Sequence, residues 1–255
     1  MRGIVYILAF MSFFYILSNA YAYYNITYIN TTLILNPNQT AHVIEVFTVY
    51  ASNTSIATYQ QNKDAIGVTL SEWQKVLLTS GLEQHILGGG HSFYNFEFLP
   101  GPMIAVPGGG YATMTMNYYV KNATIIKNIA PRKFEYSFNN SIFNFEQEAS
   151  GQILPSNTRL NLIIPNGADL VSIYPLPDTP KPNFVGNYSN DTEFSWYTGE
   201  PLSQFSFQYV ITESPETEVL NYLNNVYTNY STEMFLGVVL LIIIGVVYFY
   251  RKSRQ

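Results

Sequence analysis

The chain has 255 residues, a net charge of −5, 22 tyrosines and no cysteine. Without cysteine there is no disulfide framework, no thiolate nucleophile and no thiolate metal site. Residues 23–233 carry 8 Lys and Arg against 17 Asp and Glu, a net −9 that excludes nucleic acid as a partner, because phosphate binding needs a basic surface.

Residues 1–22, MRGIVYILAFMSFFYILSNAYA, read as a secretory signal. Arg2 supplies the positive start, Ile4 to Leu17 is apolar apart from Ser12, and Ala20 and Ala22 are the small residues before a cleavage site. An uncleaved anchor helix is the alternative, and it leaves the body of the chain on the same side. Nine N-x-S/T triplets follow, at Asn25, Asn30, Asn38, Asn53, Asn122, Asn139, Asn187, Asn190 and Asn229. They are glycosylation candidates in an exported chain. An Asn- and Thr-rich sequence also makes such triplets by chance, and Asn229 lies five residues before an apolar span.

Residues 23–213 read mainly as strands. Thr40–Tyr50 is apolar at both phases and predicts a central strand. Ser71-Glu72-Trp73-Gln74 has the order of a capping box and predicts a helix with Trp73, Val76 and Leu77 on its apolar stripe. Ala112, Met114, Met116, Tyr118 and Val120 alternate with polar residues, as do Phe205, Phe207, Tyr209 and Ile211. Period two with one apolar face marks a half-buried antiparallel strand. Phe134–Phe138, Asn139-Asn140 and Ser141–Phe145 predict a hairpin, and Leu160–Ile164, Pro165-Asn166-Gly167 and Asp169–Tyr174 predict another pair. The expected fold is mainly β, an antiparallel β-sandwich with a short inserted helix. Residues 25–33 and 117–125 look alike, so one lobe or two, 23–125 and 126–213, both fit.

Two triple-glycine runs, Gly88–Gly90 and Gly108–Gly110, raise a phosphate loop. Each is followed by strand-like alternation rather than a helix start, and no Gly-Lys-Ser/Thr occurs, so turns are the expectation. The loop between them carries Leu99, Met103, Ile104 and Val106, which are apolar and are contact candidates. Glu83, His85 and His91 have metal-ligating side chains at a spacing that matches no rigid motif. Glu146 and Glu148 would share a strand face, and paired carboxylates can run glycoside hydrolysis; a solvated strand edge is the commoner use. No cofactor motif is present.

Ser214-Pro215-Glu216 reads as a helix start, and Val219, Leu220, Leu223, Val226, Tyr227 and Tyr230 form one stripe. Leu223 and Val226 are interaction candidates, packing on the preceding domain or on a partner. Met234–Tyr250 is seventeen residues without a charge, about 26 Å of helix. Arg251, Lys252 and Arg254 follow and predict a cytoplasmic end. The expected order is thus signal peptide 1–22, extracellular β region 23–213, juxtamembrane helix 214–233, span 234–250 and cytoplasmic tail 251–255.

The segments LPSNTRLNLIIPNGADLVSIYPLPD (154–178), SWYTGEPLSQFSFQY (195–209) and ETEVLNYLNNVY (216–227) resemble those of uncharacterised archaeal single-pass surface proteins with a secreted β-rich ectodomain. The resemblance implies topology and fold and brings no catalytic motif. The expected function is a non-enzymatic, membrane-anchored envelope glycoprotein that touches the lipid bilayer and a protein partner. The alternatives are an accessory subunit of a membrane complex for secretion or glycan transfer, and a membrane-tethered hydrolase using Glu146 and Glu148.

Overall fold

The computed structural model describes residues 23–65, 69–78, 81–87, 93–149, 151–181, 188, 191–216, 219–220, 224–225 and 227–229. The segments read in the sequence as signal, 1–22, span, 234–250, and tail, 251–255, lie outside the described residues, as do Leu223 and Val226. No helix among the described residues is long and apolar enough to cross a membrane.

The molecule is mainly β. In chain order it forms β1 (Tyr24–Leu35), β2 (Ala41–Ser52), α1 (Asn53–Asp64), α2 (Leu70–Leu77), β3 (Phe93–Pro100), β4 (Ile104–Val106) and β5 (Gly109–Val120). Then come β6 (Thr124–Ala130), β7 (Lys133–Phe138), a 3-10 turn at Asn140–Ile142, β8 (Gln147–Glu148) and β9 (Gly151–Gln152). The last strands are β10 (Thr158–Ile163), β11 (Ala168–Tyr174), β12 (Glu193–Trp196) and β13 (Ser206–Thr212). One sheet has the order β12-β10-β1-β2-β5-β3, with β4 also on β5; a second runs β11-β13-β7-β6; β8 and β9 pair alone.

The alternating strands land where their period places them. Ala41, Val43, Glu45, Phe47, Val49 and Ala51 of β2 are buried, and the residues between them are half-buried. Thr40–Tyr50 is therefore central, with β1 on one side and β5 on the other, both antiparallel. The two sheets meet through rings: Phe194 of β12 lies 5.3 Å edge-on from Phe207 of β13, and Trp196 lies 4.9 Å from Phe205. Trp196 is wholly buried and its indole N–H donates to the Pro175 carbonyl at 2.9 Å, so the core keeps no unpaired indole there. Each such ring contributes roughly 1.5–3 kcal/mol by burial.

Several pairings differ from the sequence expectation. β1 and β10 run parallel, Ile29 opposite Thr158 through Ile34 opposite Ile163. β10 and β11 do not pair: β10 is enclosed by β1 and β12, with no free edge, so the Pro165–Gly167 turn passes the chain to the other sheet. The 134–145 hairpin is absent too. β7 neighbours β6, and Asn139 caps the 3-10 turn, its side chain accepting from the Ser141 N–H. Because β10 and β12 share a sheet with β1 and β5, lobes at 23–125 and 126–213 do not separate as sheets.

The helix at 70–77 starts two residues earlier than expected. Thr69 is its N-cap, and the Glu72 carboxylate accepts the Thr69 N–H at 3.0 Å; Ser71 and Gln74 lie inside. Trp73 and Leu77 are its buried residues. Helix α1 carries almost no apolar stripe, which is why periodicity misses it; Ser55 and Tyr59 are its buried residues.

The chain divides into two units, Met1–Lys127 with Glu135–Val210 and Asn128–Phe134 with Ile211–Gln255. In the second, the Glu213 N–H donates to the Arg132 carbonyl at 2.8 Å. Residues 215–216, 219–220, 224–225 and 227–229 are helical, and Val219, Leu220 and Tyr227 are exposed. The buried cluster, the aromatic face and the cleft described below lie in the first unit.

Candidate functional site

The carboxylates singled out in the sequence, Glu146 and Glu148, do not line the cleft described below. Glu146 and Glu148 are both exposed, Glu148 within the two-residue strand β8. Of the metal candidates, Glu83 is exposed, His85 is buried and turned elsewhere, and His91 lies outside the described residues. Among the described residues no group of three His, Asp or Glu side chains could hold a metal ion.

The apolar loop is partly a strand. Ile104 pairs with Tyr111 and Val106 with Gly109, so β4 and β5 form a hairpin about Pro107-Gly108, with Gly108 at φ 91°. Leu99 and Ile104 remain exposed, while Met103 and Val106 are half-buried. Gly88–Gly90 lies outside the described residues. Among the sequons, Asn25, Asn38, Asn53, Asn122 and Asn229 are exposed, and Asn30 and Asn139 are half-buried. Asn139 is no hairpin tip: its amide N–H donates to the Asn122 carbonyl at 2.9 Å. Asn187 and Asn190 lie outside the described residues.

His85 belongs to a buried polar cluster that the sequence reading overlooked. Glu45 sits on the core face of β2 with no exposure. Its carboxylate accepts from the His85 backbone N–H at 3.0 Å, meets His85 Nδ1 at 2.7 Å and accepts from the Tyr118 hydroxyl. The rings of Phe47 and Phe145 flank His85 at 5.8 and 5.0 Å. Burial first, and then the Glu45 charge, push the Tyr118 phenol far up from its ordinary range. Both carboxylate oxygens are engaged, so the cluster ties β2, β5 and the 82–87 segment together. A lone Glu at the core phase of AHVIEVFTVY was the available signal.

The opposite face of the same strands is aromatic, with the Lys121 ammonium 5.6 Å over the Tyr94 ring. Tyr94 of β3, Tyr119 of β5 and His42 of β2 lie in register and stack, at 5.5 Å and 4.6 Å. His42 is thus an outward-facing residue, hydrogen-bonded to Asn117. A second row runs Tyr111, Tyr50, Tyr23 at 5.3 and 6.5 Å. Thr48, Thr113 and Thr115 lie between the rows, and the outward residues of β2 and β5 include no Asp, Glu, Lys or Arg.

The same face ends, at the β10–β12 edge, in a cleft of about 410 Å³ lined by Arg159, Asp191, Glu193 and the hydroxyl residues Thr179, Thr192 and Ser195. Alternation explains the lining. Leu160 and Leu162 face Trp196 and Phe194 in the core, so Arg159 and Asn161 point outward beside Ser195. A hydrogen-bonded chain fixes this floor. Arg159 Nη2 donates to Ser195 Oγ at 2.9 Å, and Ser195 Oγ donates to Asn161 Oδ1 at 2.8 Å. Asn161 Nδ2 donates to Asn30 Oδ1 and Thr32 Oγ1 at 2.8 and 3.1 Å. The guanidinium stacks on Tyr197 at 5.3 Å. Among the described residues Arg159 makes no ion pair, although two carboxylates line the same cleft.

No family model matches the chain, and no curated protein matches it. Among solved structures, AChBP from Bulinus truncatus is similar at 12% identity over 74% of this chain and 88% of that one, with a TM-score of 0.16. A likeness that low carries no argument about fold or function.

Proposed function

We propose that the chain is a membrane-anchored cell-surface glycoprotein with a structural or interaction role in the envelope. It acts by contact rather than catalysis, through the outer face of the seven-stranded sheet. The observation that carries this reading is the pair of aromatic rows on that face. Rings held in register on a rigid sheet offer large apolar contact area with polar tips, the chemistry enriched at interfaces. Exposure of the five sequon asparagines Asn25, Asn38, Asn53, Asn122 and Asn229 supports glycan attachment without repacking.

The finer architecture belongs to the same proposal: a β-sandwich ectodomain on a stalk helix and a single span at 234–250. The cross-sheet contact of Phe194 with Phe207 supports the sandwich, and helix at the described positions of 215–229 supports the stalk.

The test uses intact cells carrying the full chain with a tag after Gln255. Added protease is expected to remove the body and leave the tag protected, and enzymatic deglycosylation to lower the mass. A protected body with a digested tag overturns the orientation. In native membranes, crosslinking is expected to give a partner adduct that the paired substitution Tyr94→Ser and Tyr119→Ser removes. An adduct unchanged by that pair, in a chain that melts normally, overturns the contact face.

A further inference from the structure

We infer that the Arg159 cleft is a binding subsite for a neutral, hydroxyl-rich ligand, a saccharide. The inference rests on the surface reading only in that the ligand is met outside the cell. The lining sets donors against acceptors. A guanidinium only donates and an ionised carboxylate only accepts, whereas each hydroxyl of a sugar does both. Adjacent sugar hydroxyls can therefore accept from Arg159 and donate to Asp191 or Glu193, with Thr179 and Thr192 taking either role.

The charge pattern discriminates against other ligands. Two carboxylates in one cleft oppose an anion, and the guanidinium opposes a cation. An apolar ligand would strip water from three charged groups and return no hydrogen bonds. A neutral polyol replaces that water with charge-assisted bonds. The volume of about 410 Å³ falls within the usual range for small-ligand sites.

The floor is also set before any ligand arrives. Arg159 is held by Ser195, Ser195 by Asn161, and Asn161 by Asn30 and Thr32, with Tyr197 against the guanidinium plane. The segment at 178–179 is clipped to β12, its Asp178 N–H donating to the Ser195 carbonyl at 2.9 Å and the Ser195 N–H donating to the Thr179 carbonyl at 2.7 Å. A pre-set donor array loses little side-chain freedom on binding. A purely structural arginine on this face has Glu193 within the same cleft to pair with, and among the described residues Arg159 forms no ion pair.

The full chain in detergent micelles is titrated calorimetrically with methyl glycosides and short oligomers of neutral hexoses, of N-acetylhexosamines and of hexuronates. Neutral sugars are expected to bind, and hexuronates more weakly than their neutral counterparts. Glu193→Gln and Arg159→Lys are each expected to weaken binding about tenfold, the effect of one charge-assisted hydrogen bond. Glu193 is exposed, so E193Q tests the site even if R159K fails to fold. No neutral sugar bound by a folded chain, hexuronates preferred, or affinity unchanged in E193Q would each overturn the assignment. Saccharide binding by a chain whose body is protease-protected on cells would retain the subsite and remove the surface reading. A digested body with no saccharide bound would do the reverse.

Discussion

Tyr209 carries a hydroxyl into the core where it bonds none of the described residues, while Tyr118 gives its hydroxyl to Glu45. The two cases show what burial does to one kind of side chain. An unpaired hydroxyl costs about 1–3 kcal/mol of desolvation, so removing it is nearly free or stabilising. Burial, and then the neighbouring Tyr136, also push the Tyr209 phenol up from its ordinary range. Its contribution to stability is therefore whole below pH about 10. It falls as pH rises further, because the unfolded phenol ionises while the buried one stays neutral. Tyr209→Phe is expected to raise stability by about 1 kcal/mol at neutral pH. It should also soften the loss above pH about 10, as read by denaturant melts across a pH series. An unchanged alkaline slope would show that Tyr209 is not the group responsible.

Strand β5 shows how far periodicity reaches at the scale of an element. Its alternation from Ala112 to Val120 is legible because side chains of a strand point to opposite faces by turns. The two glycines that open it are another matter. A Cβ on Gly109 would fall on the Ala51 carbonyl oxygen and within 2.6 Å of the Tyr50 hydroxyl, so close strand approach requires glycine there. Gly109→Ala is expected to cost about 1–3 kcal/mol, as overpacking does, and to lower the thermal midpoint. A melting curve like that of the parent chain would refute the close approach. Partner choice along β5, β10 and β11 is not legible in the same way. Leu160–Ile164 and Asp169–Tyr174 flank a good turn, yet the edge that β11 would need is taken by β1 and β12. A local pattern cannot report which edge is already occupied. The helix α1 escapes for a different reason, having scarcely any amphipathic period to detect.

For the whole molecule, the absence of cysteine means that packing between the sheets must supply what disulfides would otherwise add. Phe207 sits at that seam with 1% exposure, edge-on to Phe194. Phe207→Ala is expected to cost about 3–5 kcal/mol in urea unfolding of the full chain, because the cavity cannot collapse between two rigid sheets. A loss below about 1 kcal/mol, less than a single buried hydrogen-bond array would give, would mean that the seam is not the principal core. The sequence by itself determined the β class, the outward and inward phases of each strong strand, and the acidic, cysteine-free surface chemistry. These depend on residue type and short-range period alone. Only the tertiary structure decided that Glu45, His85 and Tyr118 share one buried site, that Tyr94, Tyr119 and His42 form one row, and that Arg159 bonds Ser195, 36 residues on, and shares a cleft with Glu193, 34 residues on. Those neighbours come from strand order and register, which depend on every edge of the sheet at once.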